Sequence, residues 1–165
     1  MALAQRGIVI PSPIGATTAS ATPGAPATPG TLNAWLLANG GYGASDDDLN
    51  EDVVTKLDPS RIRWTNASMH KANDLSWGQV STLLAAGAVV IANVDEGHHF
   101  VLVVGVDGEV FGDTLYVNDP GFHRASYTFK EVVGWRLYGM ARESGGVGMG
   151  MRAQLEAIEA TRSAL

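Results

Sequence analysis

The chain has 165 residues, 45% of them hydrophobic and 17% charged, with 11 basic against 17 acidic side chains and a formal net charge of −6. That length suits one domain with a real buried core, and an acidic balance without a basic stripe argues against nucleic acid as a direct partner. The absence of cysteine excludes disulfides, thiolate metal sites and thiol catalysis together.

Residues 1–29 form a first part. No apolar run in the chain approaches a membrane span, and Ile8-Val9-Ile10 in "MALAQRGIVIPSPIG" is too short for the apolar stretch of a secretory signal. A soluble protein is expected, so the sequon Asn66-Ala67-Ser68 reads as a chance match. "IPSPIGATTASATPGAPATPG" is rich in Pro, Ala, Thr, Ser and Gly, a composition that favours extended or disordered backbone over a long helix. Two outcomes are open for it. One is a structureless tail; the other is an extended arm ordered on a neighbouring subunit, with Ile8, Val9, Ile10 and Ile14 as its adhesive points.

Residues 30–143 should make the compact part. In "TPGTLNAWLLANGGYG" Thr28 is placed to cap a helix, with Pro29 at its first position and Gly40-Gly41 at its end. Leu32, Trp35 and Leu36 fall on one face of it. "SDDDLNEDVVTKLDP" predicts a second helix capped by Ser45, its aspartates lying where the helix dipole favours negative charge. "RIRWTN" reads as a short strand, and "SWGQVSTLLAAG" as a helix with a Ser76-x-x-Gln79 capping box, closing at Gly87. The period then changes to that of strands: 88–94, 98–106, 114–117, 126–129 and 135–141 are β-rich runs separated by Gly, Asp, Asn and Pro. Helices first and an antiparallel meander afterwards predict an α+β domain.

Residues 144–165 are a third part. "SGGVGMG" reads as a flexible hinge and "MRAQLEAIEATRSAL" as a helix with Met151, Leu155, Ile158 and Leu165 in one apolar stripe. That stripe can dock on its own domain or on a partner.

Three segments, "TPGTLNAWLLANGGY", "AAGAVVIANVDEGHHFVLVVGVDG" and "YVNDPGF…FKEVVGWRLY", occur in an order and spacing that resemble the bacteriocin-processing (double-glycine leader) peptidase-like branch of the papain-like cysteine peptidase superfamily. The likeness spans Thr28 to Tyr138, about two-thirds of the chain. It implies a papain-like fold in which N-terminal helices pack on an antiparallel sheet. Carried over by position, it implies His99 as general base and Asp119 as the carboxylate orienting it. His98, one residue away on the same strand, is expected to face the opposite side. The family's cysteine helix, with an oxyanion-hole glutamine before it, belongs upstream of Thr28. There this chain has the Pro/Ala/Thr stretch, with Gln5 as its only glutamine and Ser12 and Ser20 in tracts unable to position a nucleophile. The implied base and carboxylate are therefore vestigial, and a pseudoenzyme is expected.

No cofactor and no metal are expected. His98 or His99 with Asp119 and His123 match no metalloprotease spacing. An EF-hand reading of Asp46, Asp48 and Asn50 fails because Glu51 and Leu57 stand where the loop needs glycine and glutamate. The glycines of "GVDGEVFGD" serve turns and form no phosphate loop. Trp35, Trp64, Trp77 and Trp135 read first as core. The expected role is a structural or assembly subunit, with partners (copies of itself or other subunits) met through residues 1–29 and the C-terminal helix. By analogy its setting is a bacteriophage virion, otherwise the cytoplasm. Two alternatives stay open: a peptidase or amidase with an unusual nucleophile or one from another chain, and a monomeric peptide-binding module.

Overall fold

A computed structural model describes residues 1–11, 24–43, 49–69, 71, 74–108, 114–142 and 147–163 of the chain, without the side chains of 65–69 and 147–149. Among the described residues, six strands form one antiparallel sheet. They are β1 (Ile62–Met69), β2 (Val89–Val94), β3 (His99–Asp107), β4 (Thr114–Asn118), β5 (Ser126–Thr128) and β6 (Gly134–Met140). β2 to β5 follow one another as a meander. β6 does not: the sheet order is β1-β6-β2-β3-β4-β5, so the last strand of the chain lies between the first two. Its sequence suits that central place, because Trp135, Leu137, Tyr138 and Met140 are all buried and a strand covered on both faces reads as a near-continuous apolar run. The α+β expectation agrees with this architecture.

Strand alternation divides the core in two. Val90, Ala92 and Val94 pair with Val103, Val101 and His99, and directly opposed residues share a face. That face carries Trp135 and Leu137 and is covered by α3 (Trp77–Ala85) and α4 (Val147–Arg162), whose Val80, Leu83 and Ile158 are fully buried. The opposite face, with Val89, Ile91, Leu102 and Tyr138, is covered by α1 (Ala2–Gln5), α2 (Pro29–Ala38) and a 3-10 turn at Val53–Leu57. The two anticipated caps form. Thr28 Oγ1 accepts from Thr31 N and Thr31 Oγ1 from Thr28 N, while Ser76 Oγ accepts from Gln79 N and Gln79 Oε1 from Ser76 N.

Three expectations are corrected. Residues 1–10 are neither a tail nor an arm reaching away. Leu3, Ile8 and Ile10 are buried in the cluster that holds Trp35 and Tyr138, and Ile10 makes an antiparallel bridge to Ala25. The cause is local. Gly7 has φ +66°, the amide of Ile8 donates to Leu3 O and that of Gly7 to Ala4 O. This is a Schellman stop, with Leu3 and Ile8 as its apolar pair. Beyond it Ile8 and Ile10 point inward and Val9 outward. The helix expected from Ser45 is, where described, only the 3-10 turn at Val53–Leu57, preceded by a bridge between Tyr42 and Leu49. At the C-terminus the expected hinge is partly helix, since α4 begins at Val147 despite its glycines. Met151 and Ile158 bury against the chain's own sheet. Ser12, Ile14, Ser20, Ser45, Asp46, Asp48 and Leu165, and the side chain of Asn66, lie outside what is described. No helix among the described residues is long and apolar enough to cross a membrane.

α4 is fastened by an unusual contact. The buried Gln154 side chain accepts from Met140 N at 2.7 Å through Oε1, and its Nε2 donates to Met140 O at 3.4 Å. Met140 lies past the start of β2, whose pairing with β6 begins at Val89–Tyr138. The amide of Gln154 takes the place of one further residue of β2.

Candidate functional site

His99 opens β3, and Asp119 follows immediately after β4. The two strands are neighbours, paired from Leu102–Asn118 onward, so the two side chains meet at one end of the sheet, on the face covered by α3 and α4. His99 Nε2 lies 2.8 Å from Asp119 Oδ1. The local sequence Asn-Asp-Pro-Gly-Phe explains the carboxylate's posture. Pro120 has no N–H, and the next two amides, Gly121 N and Phe122 N, donate to Asp119 Oδ1 at 2.8 and 2.9 Å, a side chain–backbone turn typical of aspartate. Asp119 Oδ2 accepts from the hydroxyl of Tyr127 on β5, also at 2.8 Å.

These contacts set the electrostatics. Burial alone would raise the pKa of Asp119. The hydrogen bonds from Gly121, Phe122, Tyr127 and His99 outweigh it and hold the carboxyl well below its ordinary range. Burial, together with the bond to Asp119, pushes the Tyr127 phenol up. The carboxylate side chain is 1% exposed and the imidazole 15%. Phe122 stands edge-on to the ring at 4.9 Å between centroids, and Gly121 lies so close that an added Cβ would be 3.2 Å from His99 Cε1. The ring is held in place from three sides.

Chemically this is an oriented imidazole. With Nε2 engaged by a carboxylate, the neutral ring carries its proton there and leaves Nδ1 as the basic nitrogen. Among the described residues no group hydrogen-bonds to Nδ1, and none supplies a hydroxyl placed as a nucleophile. Gln5 lies on α1 beside Gly87 and Val89, at the opposite end of β2 from Val94 and His99, about 16 Å away at the rise of a strand. It is not brought to the imidazole.

The other sequence candidates separate. His98 is not on the strand: it ends the turn Asp95–Gly97 with φ −91° and ψ −4° and is exposed. The reason is backbone geometry. Asp95 and Glu96 both adopt positive φ, near +53° and +55°, which reverses the chain before His99 and leaves His98 in the turn. His123 is exposed, and no group of three or more His, Asp or Glu side chains among the described residues is placed to hold a metal ion. Trp35, Trp135, Tyr127 and Tyr138 are buried core side chains. The sequence reading missed Tyr127 and the two turn amides. The turn was legible in Asp-Pro-Gly; Tyr127 needed the β4–β5 register, in which it opposes Leu115.

Two clefts adjoin the site. An open one of about 560 Å³ is walled by Asp95, Glu96, Phe122, Arg124, Tyr127 and Lys130. Arg124 stacks on the Tyr127 ring at 3.7 Å and pairs with Glu131. On the other face of the sheet an apolar pocket of about 260 Å³ lies among Met1, Leu32, Phe100, Leu102, Pro120 and Tyr138. Compared with protein-family models, with curated proteins and with solved structures, the chain matches none.

Proposed function

We propose that this chain is a non-catalytic papain-like domain, a pseudopeptidase serving as a structural or assembly subunit. One observation carries the reading. A carboxylate-oriented imidazole of the kind a hydrolase uses is complete at His99 and Asp119, yet its basic nitrogen faces no nucleophile among the described residues of a chain without cysteine. Four hydrogen bonds to Asp119 give the pair a purpose that needs no chemistry, since they tie the ends of β3, β4 and β5 together.

The partner surface in this reading differs from the one first expected. Leu3, Ile8, Ile10, Met151 and Ile158 are used by the chain's own core. Phe100 and Tyr116, at 43% and 44% exposure, lie on the part of the sheet that α1 and α2 leave open, and aromatic side chains there suit a protein partner. Sedimentation of the full chain tests the proposal: a large homogeneous complex is expected. A monomer at all concentrations would move the reading to a single-chain peptide-binding module. Cleavage of a double-glycine peptide that vanishes in His99→Ala would overturn the non-catalytic reading and favour a nucleophile from another chain.

A further inference from the structure

At the end of the sheet away from His99, α1, the α3–β2 turn, part of β3 and Arg142, two residues after β6, enclose a cleft of about 490 Å³. Among the described residues, Gln5, Arg6 and Arg142 are its polar side chains; the others lining it are Ala2, Leu84, Gly87, Ala88 and apolar strand residues, none of them a carboxylate. Five of the chain's other six arginines are placed differently, Arg63 being the exception. Arg61, Arg124, Arg136, Arg152 and Arg162 each make an ion pair with an aspartate or glutamate. Among the described residues Arg6 and Arg142 make none. Arg6 is part-buried, and burial followed by the charge of Arg142 makes it less willing to stay protonated.

Arg6 is held in position. Its Nη2 donates to Gly87 O at 2.8 Å, and its own carbonyl accepts from Arg61. One edge of a fixed guanidinium remains for a ligand, with the exposed Arg142 and the amide of Gln5 beside it. Two like charges left together without a counter-charge are unfavourable until an anion lies between them, and guanidinium forks match tetrahedral oxyanions in pairs of hydrogen bonds. In a protein of net charge −6 long-range attraction does not draw anions here, so the local pair has to supply the affinity.

We propose that Gln5, Arg6 and Arg142 form a binding site for a phosphate group, carried by inorganic phosphate or by a phosphomonoester. The test uses the full chain, with thermal unfolding and calorimetric titration against inorganic phosphate and phenyl phosphate, and sodium chloride at matched ionic strength. Phosphate is expected to raise the unfolding temperature progressively and chloride is not. A larger response to phenyl phosphate than to inorganic phosphate would identify the ester as the ligand, and the reverse the free ion. Arg142→Gln, at an exposed position, should fold normally and weaken binding at least tenfold. Arg6→Lys checks the second cation, and Arg124→Gln in the other cleft should change nothing. Equal shifts with chloride and phosphate, an undiminished response in Arg142→Gln, or loss of the response in Arg124→Gln would each overturn the proposal.

Discussion

Replacing Asp119 by alanine removes the acceptor shared by His99 Nε2, Gly121 N, Phe122 N and Tyr127 OH. The four losses are unequal. Gly121 and Phe122 are exposed, so their amides turn to water at little cost. Tyr127 is buried and the imidazole nearly so, and an orphaned buried donor costs about 1–3 kcal/mol. Taking the low half of that range for each gives a destabilisation of about 2–4 kcal/mol, read by urea unfolding at neutral pH. Asp119→Asn keeps an oxygen for the three bonds at Oδ1, and the Tyr127 hydroxyl can rotate to accept, so it should cost about 1 kcal/mol. The pH dependence has a fixed sign. The folded pKa of Asp119 is depressed, so its contribution is full above the unfolded value of about 4 and disappears as pH falls from there through the folded pKa. Wild type and Asp119→Asn should therefore converge in stability on acidification below about pH 4. An Asp119→Ala protein within about 0.5 kcal/mol of wild type, as for an ordinary surface change, would refute the network. So would a wild-type to Asp119→Asn difference that stays constant in acid.

Ile10→Ala should cost about 2–4 kcal/mol in the same assay, as a buried isoleucine does, and deletion of residues 1–10 should unfold the domain and not merely impair assembly. A free tail would give no change in either. Gln154→Ala leaves Met140 N and O unpaired at about 1–3 kcal/mol; Gln154→Glu should be worse, because a carboxylate oxygen then faces Met140 O. Equal stability of all three proteins would remove that clamp from the account. Gly121→Ala should displace the His99 ring, seen as a changed Cε1–H resonance and altered exchange of the Nε2 proton, with the rest of the spectrum unmoved.

Much of the framework was readable from local chemistry. Thr28-Pro29 and Ser76-x-x-Gln79 announce two helix starts, and the β-rich runs at 88–94 and 98–106 announce two strands, formed at Val89–Val94 and His99–Asp107. The pairing of His99 with Asp119 comes only as what the family resemblance implies, and β3 and β4 bring the two side chains to 2.8 Å. What was not readable depended on distant contacts or on signals outvoted by composition. Leu3, Gly7 and Ile8 spell a helix stop with an apolar pair, but the proline-rich tract after them dominated the reading of residues 1–29. The aspartates before Val53 favour a helix start without supplying an apolar face long enough to hold one. Position 98 looked like strand because nothing in Asp-Glu-Gly declares that two non-glycine residues will take positive φ. The place of β6 between β1 and β2 has no local signature, apart from being apolar on both faces.

That place has a consequence for how the chain is made. β1 is complete at Met69 and β2 at Val94, but the strand that joins them ends at Met140, and the amide that completes its edge is at Gln154. On a ribosome, the first two strands must wait with an open edge until the residues up to Met140 have emerged. Only the β2–β5 meander can zip as it appears. Closure is then a late, non-local event, and loop-closing entropy puts such topologies in the millisecond-to-second range of folding times. During that wait, the unpaired edges of Ile62–Met69 and Val89–Val94 are the ones most able to pair wrongly with another nascent chain.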